Sequence, residues 1–179
     1  PLFISNNSKS DGTNTTDANN NLKGFEYGNS FSIFYDDVKT ISIFSEVEYD
    51  VSERISFGFS GQYDQFTPTN NSEAWNLPNL TASLFGKYKR EKWYTETAIF
   101  YVGERKDVSY NGTFPSSFST AQNLDPYIDI NLNAGYHFND KFSAFLKLNN
   151  LLNNDYERFN NFNVQGFQVL GGFTYKFDF

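Results

Sequence analysis

The strongest constraint on this chain is an alternation of period two that returns repeatedly between polar turns. In KTISIFSEVEYD, residues 39–50, Ile41, Ile43, Val47 and Tyr49 share one parity. Thr40, Ser42, Glu46 and Glu48 share the other, with Phe44 among them. Successive side chains of an extended strand point to opposite faces, so the pattern predicts a strand with one apolar and one polar face. VSER (51–54) reads as a short turn. ISFGFSGQYDQF (55–66) then sets Ile55, Phe57, Phe59, Gly61 and Tyr63 against Ser56, Gly58, Ser60, Gln62 and Asp64.

The same reading extends along the chain. NLTASLFGKYK (79–89) gathers Leu80, Ala82, Leu84 and Tyr88 on one face. WYTETAIFYVGER (93–105) is the least regular, because neither parity is wholly apolar; Glu96 is expected to point away from any apolar surroundings. PYIDINLNAGYHF (126–138) is strict again, with Ile128, Ile130, Leu132, Ala134 and Tyr136 opposed to Asp129, Asn131, Asn133 and His137. FSAFLKLNNLL (142–152) groups Phe142, Ala144, Leu146 and Leu148, and GFQVLGGFTYKFDF (166–179) closes the chain on a strand with an aromatic face. No segment carries a helical period.

The connections are as informative as the strands. VSER, the turn around residues 90–92, and NDK (139–141) are short. TPTNNSEAWNLP (67–78), residues 106–124 with their Asn-Gly turn signal, and NNDYERFNNFNVQ (153–165) are long and polar. PLFI at the start reads as a clipped strand, followed by a long polar loop over 6–23. GFEYGNSFSIFYDDV (24–38) runs into the 39–50 strand with an irregularity near Asp36 and Asp37. Eight strand positions of roughly 9–13 residues, joined alternately by short turns and long loops, predict an all-β fold, a transmembrane antiparallel β-barrel. The C-terminus then falls on the short-turn side, which in a bacterial outer membrane is the periplasm, and the long loops are extracellular.

A soluble barrel or sandwich also alternates. Two features favour lipid. One face of most strands is almost free of charge, and a Lys or Arg facing the bilayer midplane costs about 2–4 kcal/mol. Rings also gather at strand ends, at Tyr49, Tyr63, Tyr88, Trp93, Tyr136 and Tyr175, the depth at which interfacial aromatics sit. Aromatics make up 20% of the 179 residues, so the apolar bulk is mostly rings. A net charge of -7 argues against a nucleic-acid partner, and the lack of cysteine removes disulfides and thiolate chemistry. No apolar run reaches the ~18 residues of a membrane helix. Pro1 and the absence of Met suggest a processed or fragmentary chain.

The last fifty residues resemble the C-terminal end of TonB-dependent outer-membrane receptors, especially those of Bacteroidetes-type bacteria. The resemblance rests on Asn149-Asn150-Leu151-Leu152-Asn153, Tyr156, Gly166 opening the last strand, and the terminal Phe179. EAWNLP (73–78) and FYVGERKD (100–107) also look like segments of such receptors. The resemblance implies that residues 1–179 are the last eight or so strands of a 22-stranded barrel that holds a plug domain. It implies TonB-energised uptake of a scarce ligand, namely a metal chelate, a vitamin or a glycan or peptide. The partners it implies are outer-membrane lipid, the rest of the barrel and plug, TonB through an N-terminal region not in this sequence, and a surface lipoprotein. It implies no enzyme activity and no cofactor. It also marks Phe179, with Phe177 and Tyr175, as the barrel-assembly signal. The alternatives are a receptor-like barrel serving as a structural or accessory subunit, and a self-contained small outer-membrane barrel.

Candidate chemistry is sparse. His137, the only histidine, sits on polar parity and is expected to be a lumenal hydrogen-bonding residue near the periplasmic rim. Glu46, Glu48, Asp50 and Glu53 read as solvated lumen and rim charges, with a cation site as the alternative. SDGTNTTDANNN has oxygen ligands but neither EF-hand spacing nor its closing Glu, and reads as an extracellular loop. Nothing local suggests a Ser–His–Asp constellation. Trp75, Phe114, Phe118, Tyr156, Phe159 and Phe162 are loop aromatics that could meet a ligand or partner, with anchoring and loop packing as the simpler role. Gly171 and Gly172 allow a close approach in the closing strand.

Overall fold

The computed structural model of the chain describes residues 2–5, 31–109, 120–160 and 162–177. Among them are thirteen strands and no helix: β1 (Leu2–Ser5), β2 (Phe31–Phe34), β3 (Val38–Ser52), β4 (Ile55–Pro68), β5 (Leu80–Lys89), β6 (Trp93–Val102), β7 (Arg105–Ser109), β8 (Thr120–Leu124), β9 (Tyr127–His137), β10 (Phe142–Asn149), β11 (Glu157–Phe159), β12 (Phe162–Asn163) and β13 (Gln168–Tyr175). Seven of these form one antiparallel sheet in the order β13-β10-β9-β6-β5-β4-β3. Each strand therefore lies beside its predecessor in the sheet. The other six make two-stranded pairs, β1 with β2, β7 with β8, and β11 with β12.

The short turns lie together at one end. Their polar groups close them locally: Asn139 Oδ1 accepts the amides of Lys141 (3.0 Å) and Phe142 (2.8 Å), and Ser52 Oγ accepts that of Arg54 (3.2 Å). The long connections lie at the opposite end, and two of them carry strands that periodicity did not reveal. The segment 106–124, expected to be loop, begins and ends in β7 and β8. This hairpin keeps the register of the strands below it, since Val102 faces Tyr127 and, past a break, Arg105 faces Leu124. Pro126 has no N–H to give the ladder, and Gly103 turns its own N–H to Leu80 O (2.8 Å) on the next strand. Residues 35–37 interrupt the path between β2 and β3, at the irregularity expected near Asp36 and Asp37.

Register carries the alternation across the sheet. Val47, Phe59, Leu84, Ile99 and Ile130 stand side by side in one row of the apolar face. Ile55, Tyr88, Thr95, Ala134, Leu146 and Gly171 form another. Glu96 lies on the other face, opposite Lys87 and Asn133, as expected. Lys39, at the long-loop end of β3, is the one charged residue on the apolar parity of these seven strands.

Among the described residues no second layer covers that face. Among the described residues Trp75 and Leu124 are the buried apolar side chains, whereas Ile41, Val47 and Phe173 are 68%, 58% and 74% exposed. A soluble sheet would bury such a face against another layer, and each large apolar side chain left in water forgoes about 1.5–3 kcal/mol. The apolar stretch of β4 from Ile55 to Tyr63 spans about 26 Å at ~3.3 Å per residue, close to the ~25 Å outer band of membrane barrels. Tyr49, Tyr88, Trp93, Tyr136 and Tyr175 mark its short-turn edge and Tyr63 the other. Along the short-turn edge Trp93 meets Tyr136 (4.6 Å between centroids), Tyr136 meets Phe138 (4.9 Å) and Phe138 meets Phe142 (4.9 Å). The row continues from Phe142 to Phe173 (5.7 Å). Phe177 stacks edge-on to Tyr175 at 4.9 Å.

The polar face is built differently. Three of its rings lie over glycines directly opposite in register: Phe85 over Gly58, Tyr94 over Gly135 and Phe145 over Gly172. A Cβ at those glycines would come within 2.3, 2.1 and 2.7 Å of the respective ring. Gly172 therefore serves close packing in the closing strand, as its sequence position suggested. Hydrogen bonds between side chains fill the rest of the face, including Ser60 with Ser83 (2.8 Å) and Asn133 Nδ2 to Glu96 (3.2 Å).

Candidate functional site

The long-loop end of β9 and β10 is organised by asparagine. Asn150 follows β10 at φ 48°, and Asn153 takes φ 49° three residues later. Asparagine tolerates this left-handed region better than most residues, so the two bracket the Leu151–Leu152 turn with little strain. Asn150 is 4% exposed and ties four segments together. Its backbone N–H donates to Asn131 Oδ1 (3.2 Å), and its Nδ2 donates to the carbonyls of Asn154 (2.9 Å) and Gln165 (3.2 Å). Its Oδ1 accepts the Asn154 amide at 3.0 Å. Asn153 Oδ1 takes the Phe167 amide at 2.8 Å and leaves no room for a Cβ at Gly166, which would lie 2.7 Å away. Asn150 and Asn153, from the run that carries the family resemblance, thus hold the β10–β13 connection onto the sheet.

That connection delivers Tyr156 to the rim. Its ring stacks on Tyr127 at 3.9 Å and 8°, and its hydroxyl donates to Asp129 Oδ2 at 3.2 Å. Burial, and secondarily the Asp129 carboxylate, push the Tyr156 hydroxyl up to about 12, so it stays a donor across physiological pH. The Arg105 guanidinium lies 5.1 Å from the Tyr127 centroid and donates to the carbonyls of Glu157 (2.6 Å) and Gly103 (3.3 Å). Asp107, fully buried, accepts the Asn160 amide at 2.8 Å. The β7–β8 hairpin and the 153–165 connection are fastened to each other through these contacts.

Two clefts flank the Tyr127–Tyr156 stack. The larger, about 690 Å³, opens between the base of β7–β8 and residues 152–157. The smaller, about 470 Å³, is bounded by Asp129, Asn150, Arg158 and the loop rings. Tyr156 borders both. Phe159 and Phe162 border the smaller one and meet edge-on at 6.5 Å. Three loop aromatics singled out from the sequence therefore converge on one region.

Trp75 does not join them. It is 7% exposed in the β4–β5 connection, where the Asn76 amide donates to Lys106 O (2.8 Å) and Lys106 Nζ pairs with Glu73 at 2.8 Å. EAWNLP and FYVGERKD, noted separately in the sequence, are docked on each other. His137 lies on the polar face at the short-turn end, 6.0 Å from the Tyr94 ring, far along the strand from both clefts. Glu46, Glu48, Asp50 and Glu53 are exposed, and among the described residues no group of three or more His, Cys, Asp or Glu is placed to hold a metal. Phe114, Phe118, Phe179 and the loop over 6–23 lie outside the described residues. Arg105, Tyr127 and Asp129 were not anticipated as site residues. Tyr127 could have been noticed as an aromatic on the polar parity of an otherwise strict strand.

A one-layer antiparallel meander with one face almost free of charge, an aromatic rim and tied long loops defines the sheet of an outer-membrane β-barrel. Solved structures agree. No family model and no curated protein matches the chain. The ferripyoverdine receptor of the outer membrane of Pseudomonas aeruginosa is similar over 87% of this chain and 21% of its own, at 16% identity and a TM-score of 0.67. The ferric-catecholate import receptor Fiu of E. coli K12 is similar over 82% and 22%, at 15% identity and 0.61. The siderophore receptor PiuA of Acinetobacter baumannii is similar over 78% and 22%, at 15% identity and 0.60. At these identities the likeness is one of fold: the chain has the fold of part of an outer-membrane receptor barrel. It spans about a fifth of the length of those receptors.

Proposed function

We propose that the chain is a barrel segment of a TonB-dependent receptor that takes up a scarce ligand across the bacterial outer membrane, with long loops outside and the C-terminus in the periplasm. The observation that carries this reading is the fold shared with siderophore receptors over most of the chain. The uncovered apolar face supports the location, and the tied loop end with its two clefts supports ligand capture rather than catalysis. The plug and the TonB contact belong to the rest of such a receptor. A strain lacking the protein should lose growth on one limiting nutrient in a panel of ferric chelates, cobalamin and oligosaccharides, and loss of TonB should copy that defect. Equal growth on every source would overturn uptake and favour the accessory-subunit reading.

The terminal rings Tyr175, Phe177 and Phe179 are assigned the role of assembly signal. F179S should lower the amount of protein in the outer membrane without changing the ligand affinity of what inserts. Unchanged membrane levels would remove that role.

A further inference from the structure

The larger cleft specifies what kind of ligand it takes. Its carboxylates are Asp125, Asp155 and Glu157, and no lysine or arginine lines it. An anionic ligand would meet three carboxylates against the single Arg105 guanidinium behind Tyr127, a net negative field on a chain of net charge -7. The acids do not converge, because no group of three among the described residues could hold a metal. A single point cation is therefore a poor match as well. Between the acids stand the amides Gln122, Asn123, Asn154 and Asn163, each with both donors and acceptors. Tyr101, Tyr127 and Tyr156 add flat walls and hydroxyls.

This mixture suits groups that donate and accept at many separate points and also offer an apolar surface to a ring. Hydroxyl groups on a sugar ring do both, whereas an ammonium group only donates. The platform is already set, because the Tyr127–Tyr156 stack is held by Asp129 on one side and Arg105 on the other. A pre-ordered wall spares the ligand the cost of ordering it. The volume, about 690 Å³, lies within the ~300–1,000 Å³ range of small-ligand sites.

We propose that this cleft binds an uncharged polyhydroxylated ligand, a neutral oligosaccharide, in preference to an anionic metal chelate. The proposal rests on the receptor reading above and names its ligand class. The test uses the full-length receptor, purified from outer membranes in detergent and titrated calorimetrically. The probes are neutral gluco-, manno-, xylo- and fructo-oligosaccharides, ferric tris-catecholate, and tetralysine. At least one oligosaccharide should bind. The exposed-residue variants D125N and Q122A should each weaken it several-fold, and Y156A about tenfold or more. Ferric tris-catecholate should not bind at this cleft, and D125K should not weaken any oligosaccharide through charge alone beyond the D125N loss. The proposal is overturned if no oligosaccharide binds, if D125N and Q122A both leave saccharide affinity unchanged, or if tetralysine or the ferric chelate binds and is displaced by these variants. Energised uptake of a chelate with no saccharide binding would sink this inference and leave the receptor reading standing. Saccharide binding without any energised uptake would do the reverse.

Discussion

Asn150 shows how much one side chain can hold. It is buried, sits at positive φ, and exchanges hydrogen bonds with Asn131, Asn154 and Gln165. N150A removes the side-chain bonds, each worth about 1 kcal/mol net, and strands partners that cost about 1–3 kcal/mol when left unsatisfied. The local loss should reach about 2–4 kcal/mol. Hydrogen exchange at the Asn154 amide should speed up accordingly, and N150G, which suits the backbone but not the network, should recover only part of the protection. A second residue, Asp36, clips the other side of the loop end. Desolvation opposes its charge, but the amides and side chains of Asn71 and Asn70 donate five hydrogen bonds of 2.8–3.1 Å and hold its carboxyl well below the usual carboxylate range. With the folded value depressed, the clip is fully present above the unfolded value near 4 and is lost as pH falls below it. Exchange of the Asn70 and Asn71 amides should accelerate only in that acid range, and D36N should abolish the dependence. An acid-insensitive profile in the parent protein would contradict this.

At the scale of strands, rings lying on glycines pin the register. A slip of one residue would place Tyr94 against a side chain rather than in the gap at Gly135, besides moving every apolar residue to the wrong face. G135A should overpack that gap at a cost of about 1–3 kcal/mol. Y94A with G135A should cost less than the two single changes together, with a coupling of about 0.5–3 kcal/mol. Thermal unfolding midpoints of the four proteins in detergent measure it, and simple additivity would refute the lock. These notches also mark the limit of sequence reading. Alternation located all seven strands of the sheet, yet it does not say which ring meets which glycine, since that depends on register. The β7–β8 hairpin escaped notice for a related reason: residues 106–124 read as one loop, though its two ends pair in the register of the strands below, past a break at Gly103 and Pro126. At the site, Tyr156 was visible as a loop aromatic. Arg105 and Asp129, separated from it by 51 and 27 positions, come together only through the fold.

For the molecule as a whole, the decisive asymmetry is between the two faces. I99K places a charge in the middle row of the apolar face, where lipid exposure should cost about 2–4 kcal/mol. A98K, next to it in sequence but on the polar face, should cost far less. Outer-membrane yield and heat-modifiable mobility compare them, and equal losses would argue against a lipid-facing sheet. The meander order has a kinetic meaning as well. Because every strand of the sheet lies beside its predecessor, growth needs no contact between distant segments. Each addition closes only the loop to the strand just before it, and closure entropy rises slowly with loop length. The sheet can lengthen one hairpin at a time, with each new strand templated by the open edge of the last. Asn150 and the Tyr127–Tyr156 stack can form only when the β10–β13 connection is in place, so a protected loop end reports that this hairpin has docked on the sheet.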